Sequence, residues 1–271
     1  VADQYRKLRN TFRYLLGALD GFSEAEKVRD VSKMPELERY VLALLAKLDG
    51  TLREAVDAFD FNTYVRALTD FCNEDLSAFF FDIRKDSLYC DAANHPKRMA
   101  YRTVLDTLFH ALVRYAAPVL VFTAEEVWGT RFPDAGSVHL LEWPEVPAGD
   151  DAALVERLIT FRSARSQIFQ ELERSRNDKV IKSSLEANVR IDLTSEEFVH
   201  ELSRLSAETW TEYLIVADAS IEVNVQHNEK FGVATTVNRT IQSKCGRCWR
   251  HLPEVEADGN LCDRCESVVG A

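Results

Sequence analysis

The chain has 271 residues, with 33 basic and 44 acidic side chains, a formal net charge of −11 and 46% hydrophobic residues. This composition is typical of a folded globular protein and excludes a disordered chain. The length favours roughly two compact domains. The longest nearly continuous apolar stretch, residues 115–122, is far too short for the roughly 18–20 residues that span a bilayer. The N-terminus lacks Met and a signal-peptide pattern, so we expect a piece of a longer protein with no membrane contact. Cysteine pairs that look like metal ligands favour a reducing compartment, so we expect a cytoplasmic location.

The first half of the sequence has the periodicity of amphipathic helices. Apolar residues recur at three- and four-residue steps over 5–19, 37–52, 64–79 and 95–115. Gly21 and Pro118 are stop signals, Pro35 is placed in a first turn and Asp60 is a predicted N-cap. The Thr-x-x-Glu spacing at 123–126 predicts a capping box that starts another short helix. Short connections between these helices predict an antiparallel bundle.

The second half has a mixed pattern. Prolines and glycines over 131–151 indicate a junction, with a strand-like run at 137–141. A long helix over about 151–176, a strand at 187–193, a capping box at 194–197 and a helix over 196–205 follow, with further strands at 212–216, 221–225 and 231–237. The predicted fold class is mainly α: an antiparallel helix bundle, then a small α+β region and a four-cysteine zinc knob. The predicted domains are 1–135 (helical), 136–150 (junction), 151–240 (long helix and α+β region) and 241–271 (knob).

Four of the six cysteines lie near the C-terminus as two Cys-x-x-Cys pairs, Cys245 with Cys248 and Cys262 with Cys265. Each pair places two thiolates on one tight turn, and two such turns close a tetrahedral, structural zinc site. Iron held by four thiolates is the remaining metal alternative, and unpaired thiols or disulfides are the alternative without metal. The other cysteines, Cys72 and Cys90, are expected to be buried free thiols.

A basic, acid-free stretch surrounds the first cysteine pair. Its cations are Lys230, Arg239, Lys244, Arg247 and Arg250, and Trp249 lies between two of the arginines. A tryptophan among arginines on a rigid turn suits stacking on an unpaired base and neutralising phosphate. The alternative is that Trp249 covers the metal site as a small core while the arginines are solvated.

Two helices carry further candidate basic faces. The first has Arg6, Arg9 and Arg13, and the fourth has Lys97, Arg98 and Arg102. Ordinary solvated helix faces look similar, so contact with a ligand and simple solvation both remain open. Phosphate-binding glycine loops and hydrolase or metalloprotease motifs are missing, and the chain is therefore expected to have no catalytic residues of its own.

Several segments carry a specific resemblance. They are YRKLRNTFRYLL at 5–16, FDIRKDSLY at 81–89, APVLVFTAEEVW at 117–128, SVHL at 137–140 with Trp143-Pro144, KSSLEA at 182–187 and CGRCW at 245–249. In this order they resemble the anticodon-binding domain and zinc-binding C-terminal part of bacterial isoleucyl-tRNA synthetases, over nearly the whole chain.

The resemblance implies a function in tRNA recognition. In that family the domains that bind ATP and magnesium, form the adenylate and edit lie N-terminal to these segments. The implied partners are the anticodon stem and loop of isoleucine tRNA and the missing N-terminal domains of the same chain, in a monomer that joins isoleucine to tRNA, while this fragment alone is inactive. The alternative is a stand-alone zinc-knob adaptor whose helical scaffold binds protein.

Overall fold

The computed structural model describes residues 2–147, 151–225 and 232–270. The chain divides into two compact units, Val1–Ala152 and Ala153–Ala271. The first unit is helical and the second holds a three-stranded sheet, which confirms the predicted mainly α fold class. The finer four-part division stays a prediction. No described helix is both long and apolar enough to cross a membrane.

The first unit is built from amphipathic helices packed around one core. The described helices are α1 (Ala2–Ala18), α2 (Glu36–Asp57), α3 (Phe61–Asp70), α4 (Asp82–Cys90), α5 (Pro96–Ala116) and α6 (Val121–Arg131). Their predicted end signals are mostly confirmed. Gly21 has a φ of +65° just beyond α1, and the carboxylate of Asp60 accepts the backbone N–H of Thr63 at 3.0 Å. Pro35 lies at the N-cap of α2, one residue before its predicted place.

A π-helical segment, Phe71–Phe81, joins α3 to α4, so the chain is helical without a break from Phe61 to Cys90. Three consecutive aromatic side chains, Phe79, Phe80 and Phe81, are all buried there. An α-helix turns consecutive side chains 100° apart, whereas wider i→i+5 turns bring them closer to one face. Apolar periodicity predicted the helix but not its π-helical segment. Residues are buried on several sides of that segment, so its apolar positions show no clear helical period.

The core of the first unit contains a fully buried ion pair. The guanidinium of Arg84 donates from Nε to Oε1 of Glu38 at 2.7 Å and from Nη2 to Oε2 at 2.8 Å. This paired geometry satisfies both charges away from water, which a buried charge requires. It ties α4 to α2 and fixes the rotation of α4 about its axis.

A second polar anchor ties the segment after α6 back to α2. Asp49 accepts hydrogen bonds from the hydroxyl of Tyr115 at 2.5 Å, the indole N–H of Trp143 at 2.6 Å and Nε of Arg53 at 2.7 Å. Burial alone would raise the pKa of Asp49, but the hydrogen bonds from Tyr115, Arg53 and Trp143 outweigh it and hold the pKa below its usual value.

Two local predictions in the first unit are wrong. Helix α6 has Leu120 as its N-cap, so Thr123 lies inside the helix, and its hydroxyl is 3.2 Å from that of Tyr5 instead of capping. The run 137–141 forms a 3₁₀ turn, Val138–Leu140, because the hydroxyl of Ser137 accepts the N–H of His139 and caps the turn. Capping by Ser137 competes with the strand pattern.

The second unit combines a long helix with a small mixed sheet. Its described elements are α7 (Ala152–Asn177), β1 (Ala187–Leu193), α8 (Glu196–Leu202), α9 (Ala207–Leu214), β2 (Asp218–Val223), β3 (Val233–Arg239) and α10 (Asp263–Val269). The central strand β1 runs parallel to β2, with Ile191 opposite Ile221, and antiparallel to β3, with Val189 opposite Val237. The parallel pair requires the crossover that α8 and α9 provide.

The strand predicted at 212–216 is wrong, because Trp210, Tyr213 and Leu214 bury one face of α9 at helical spacing. The helix over 196–205 ends at Leu202, and its cap is the hydroxyl of Ser195, which accepts the N–H of Phe198, instead of Thr194. The strand predicted at 231–237 is β3, although its first residue, Phe231, lies outside the described residues.

Candidate metal centre and basic surfaces

The four paired cysteines converge on one point. Their sulfur atoms all lie within 4.8 Å of one another and all four residues are buried. The sulfurs of Cys248 and Cys262 are 3.9 Å apart. A tetrahedral site with Zn–S bonds of about 2.3 Å requires S···S separations of about 3.8 Å. The donor set and its spacing therefore fit a zinc ion held by four thiolates with no open position.

Close backbone approach brings the two cysteine turns together. A Cβ on Gly246 would lie 2.4 Å from the carbonyl oxygen of Gly259, so only glycine fits there. The N–H of Gly246 donates to Asn260, and the N–H of Gly259 donates to Lys244, at 3.0 and 2.9 Å. Gly259 also has a φ of +98°, which glycine adopts without strain. These contacts hold the two cysteine turns, and with them the four sulfur atoms, next to one another.

Hydrogen-bond donors surround the sulfur atoms. The backbone N–H of Cys262 donates to Sγ of Cys245 at 3.4 Å, and Nη1 of Arg247 lies 3.5 Å from Sγ of Cys265. Burial alone would raise the pKa of Cys245, but backbone N–H groups of Cys248, Arg247 and Cys262 lower it to about 6. Such donors favour the thiolate form at Cys245, whereas burial raises the pKa of Cys248 and Cys265. Arg247 thus contacts the metal centre, a role that sequence reasoning did not assign.

Trp249 is mostly exposed to solvent. Its side chain is 61% exposed, and Nζ of Lys244 lies 5.6 Å from the centre of its ring. Its backbone φ is +64°, a left-handed conformation that is unusual for a bulky residue. Much of the residue is thus open to a planar partner, and its role, stacking on a base or covering the metal, stays a prediction.

The other predicted cations near the metal differ in their surroundings. Lys244 is exposed, and Arg250 is half-buried. Arg239, at the end of β3, is exposed, with Nε 3.5 Å from a carboxylate oxygen of Glu186. Lys230 lies outside the described residues. Lys244, Trp249 and Arg250 thus belong to one small knob, while Arg239 lies on the sheet.

Helix α1 presents the predicted basic stripe. Arg6, Arg9 and Arg13 are all exposed. Arg6 lies 3.9 Å from Asp3, whereas Arg9 and Arg13 make no ion pair within the described part of the chain. Two unpaired guanidinium groups on one face form a positive stripe that an anion can reach.

A groove of about 500 Å³ runs beside this stripe. One wall comes from α1, with Lys7, Asn10 and Arg13, and the other from the π segment and α4, with Lys85 and the exposed ring of Tyr89. Lys85 is paired with Asp82 at 2.6 Å. Sequence reasoning missed Asn10, Lys85 and Tyr89. The shared helix face of Asn10 and Arg13 was visible in their spacing, but the second wall lies over 60 residues further along the chain.

The prediction that Arg102 contacts a ligand is wrong. Its side chain is buried, and its guanidinium donates to the carbonyl oxygens of Ala18 and Asp20 and to the carboxylate of Glu26, at 3.2, 2.6 and 2.6 Å. Carbonyl oxygens at the end of a helix attract cations, so Arg102 caps α1.

The other two candidates on α5 are half-buried. Arg98 donates from Nε and Nη1 to the carbonyl oxygens of Leu88 and Ala93, which makes it a structural link to α4 and the following loop. A contact of Lys97 with a ligand stays a prediction.

Two family models match the chain. The model described as the anticodon-binding domain of tRNA ligase matches residues 38–191, more than half of the sequence. The model described as the zinc finger found in FPG and IleRS matches residues 242–268, which include all four clustered cysteines. The chain therefore belongs to the family of tRNA ligase anticodon-binding domains.

Individual relatives of the chain show which kind of tRNA ligase it resembles. The chain is similar to isoleucine–tRNA ligases of Zymomonas mobilis (54% identity over all of this chain), Gluconobacter oxydans (45% over 98%) and Ruegeria pomeroyi (41% over all of it). It spans 28% of the length of each of these relatives and aligns with their C-terminal part. The predicted resemblance to the C-terminal region of bacterial isoleucyl-tRNA synthetases is thereby confirmed.

Proposed function

We propose that this chain is the tRNA-recognition part of a bacterial isoleucine–tRNA ligase and binds the anticodon arm of isoleucine tRNA. The match to the anticodon-binding family over residues 38–191 carries the proposal. The relatives' names supply the amino acid, since each is an isoleucine–tRNA ligase. The complete enzyme joins isoleucine to its tRNA with ATP and magnesium bound outside this chain, and the chain alone binds without catalysis. A cytoplasmic location and a monomeric state are parts of the same proposal.

Two surfaces are the proposed RNA contacts. On the first unit, Arg6, Arg9 and Arg13 offer charge for phosphates, and the groove beside them offers amide groups and the ring of Tyr89 for an unpaired base. An acidic protein approaches a polyanion through a local positive surface of this kind. Single-stranded loops are read by stacking and by hydrogen bonds to splayed bases, and the groove supplies both.

The zinc knob is the second proposed contact. Cys245, Cys248, Cys262 and Cys265 are its proposed zinc ligands, and the ion acts structurally by holding both turns in place. Trp249, with Lys244 and Arg250 nearby, is then presented on a rigid loop, with Arg239 on the adjoining sheet as a further candidate. A rigid aromatic side chain loses little conformational entropy on stacking against a base.

Binding of isoleucine tRNA at several salt concentrations tests this function. Each phosphate contact steepens the dependence of log affinity on log salt by about 0.7–0.9. We expect Arg9→Ala and Arg13→Ala each to weaken binding and to reduce that slope by about one contact. Lys47→Ala, which removes an exposed cation from α2, is the matched control and should leave the slope unchanged.

The zinc-knob adaptor that binds protein remains the competing function. It predicts a weak salt dependence, and footprinting of the tRNA would then show no protection of the anticodon arm. Protection of the acceptor end alone would also contradict the proposal.

A further inference from the structure

Two of the most exposed apolar side chains of the first unit lie at the start of α6 and in the 3₁₀ turn that follows it. Phe122 is 89% exposed and Leu140 is 85% exposed, and Val119 and Val121 beside Phe122 are also exposed. Scattered single apolar residues are normal on a surface, but an aromatic and several aliphatic side chains together mark an interaction site. Phe122, Leu140, Val119 and Val121 are called the α6 patch below.

Polar contacts hold the α6 patch in a fixed shape. A carboxylate oxygen of Glu125 accepts from the hydroxyl of Ser137 at 2.9 Å and from the N–H of Val138 at 3.1 Å. Nε2 of His139 lies 3.2 Å from the carbonyl oxygen of Val121. These contacts join the turn to the helix, and Leu140 and Phe122 are the residues that directly follow His139 and Val121. The surface is therefore formed before any partner arrives, which lowers the entropic cost of docking.

The α6 patch lies next to the beginning of α1. The hydroxyl of Tyr5, in the second turn of α1, is 3.2 Å from that of Thr123, the residue after Phe122. The chain aligns with the C-terminal 28% of its relatives, so in a ligase of that length the preceding polypeptide enters the first unit at α1. Whatever precedes α1 in such an enzyme is thus delivered beside the α6 patch.

The chemistry of the α6 patch favours protein over RNA. It contains no cation, and the exposed carboxylates of Glu125 and Glu126 lie next to it on α6. RNA phosphates are repelled by such a surface, whereas apolar side chains of a folded domain are not. We propose that the α6 patch is the docking surface for the domain that precedes α1 in the complete ligase.

This inference rests on the proposed function, since it needs the complete enzyme. Docking here fixes the angle between the preceding domain and α1. Docking also fixes the distance between the basic stripe of α1 and the preceding domain. A tRNA that contacts both must therefore match that distance.

Cysteine labelling of the complete ligase without tRNA tests the inference. Phe122→Cys and Leu140→Cys are compared with Phe59→Cys, a control at a side chain that is 80% exposed at the α2–α3 turn. Mass spectrometry of the labelled peptides separates these sites from the native cysteines. We expect the two patch positions to react at least tenfold more slowly than the control in the folded enzyme, and all three to react equally in denaturant. Two independent patch variants guard against one that folds poorly.

Three outcomes would overturn the docking. Labelling of both patch positions at the control rate would show an open surface. Protection that appears only when tRNA is added would make RNA the occupant, and protection that grows with enzyme concentration would make it a second copy. Binding of tRNA is measured separately on the unlabelled enzyme, so loss of the proposed function and loss of the docking are distinguishable.

Discussion

Replacing Trp249 with glycine in the complete ligase separates RNA binding from metal binding at the zinc knob. The residue has a φ of +64° and is 61% exposed. A left-handed conformation costs a non-glycine residue about 1–2 kcal/mol, and glycine adopts it freely. The packing lost is about 100 Å² of the roughly 250 Å² that a tryptophan offers, or about 2.5 kcal/mol. The two effects largely offset each other.

Zinc should therefore remain bound to the Trp249→Gly variant, because structural zinc contributes about 10–16 kcal/mol to such a site. The affinity for isoleucine tRNA should fall by roughly 5- to 150-fold, which corresponds to the loss of about 1–3 kcal/mol of base stacking. Zinc content by elemental analysis and tRNA affinity by filter binding at fixed salt are measured on one preparation. Val269→Ala, at an equally exposed position of α10, is the control.

Unchanged affinity with full zinc would refute the stacking role of Trp249. Loss of zinc would refute the reasoning from its exposure and would support the interpretation that the indole covers the metal. Trp249→Ala retains the left-handed backbone and should show the same loss of affinity with slightly lower stability of the knob.

Three further predictions concern stability. Cys262→Ser should abolish zinc binding and unfold the knob, while the melting of the first unit, followed by circular dichroism, stays the same; a shift there would contradict the separation into two units. Arg84→Met should lower the free energy of unfolding by about 3–5 kcal/mol and Tm by about 6–20 °C, because it leaves the Glu38 carboxylate buried without a partner. The double variant Glu38→Leu with Arg84→Met should recover most of that stability. Both are measured by calorimetry, and additive effects of the two substitutions would refute the pairing. Asp49→Asn should cost about 1.5–3 kcal/mol at pH 7. Because the folded pKa of Asp49 lies below its unfolded value, its contribution is present above about pH 4 and is lost as the pH falls through the folded pKa. The difference in urea unfolding between the two proteins should therefore shrink as the pH is lowered below about 4.

The metal site was the most predictable part of the molecule. Two Cys-x-x-Cys turns specify their own geometry locally, so the convergence of Cys245, Cys248, Cys262 and Cys265 follows from spacing alone. The reason why only glycine fits at position 246, the nearby carbonyl of Gly259, lies in the second turn and could not be found from the first turn alone. The positions of the helices were also predictable, because apolar periodicity is a local property of the sequence.

Surface assignments were less predictable because they depend on distant chain segments. Arg13 and Arg102 belong to similar basic patterns in the sequence, yet Arg13 is exposed and Arg102 is buried against the end of α1. The difference arises because α5 is covered on most of its sides and α1 is not. Tyr89 lines the groove only because the π segment, which continues into α4, packs against α1, and no local pattern encodes that contact.

The π segment Phe71–Phe81 sets the azimuth of every residue that follows it in the same helix. If the wide turns contained one residue more or fewer, the part of the helix after Phe81 would be rotated by about 100° about its axis. Arg84 lies three residues beyond the segment, so conversion to regular α-helix would swing its guanidinium away from Glu38 and into an apolar environment. The wide turns thus orient Arg84 for its salt bridge with Glu38. A one-residue deletion within 71–81 would first break this ion pair, although Glu38 belongs to a different helix, α2.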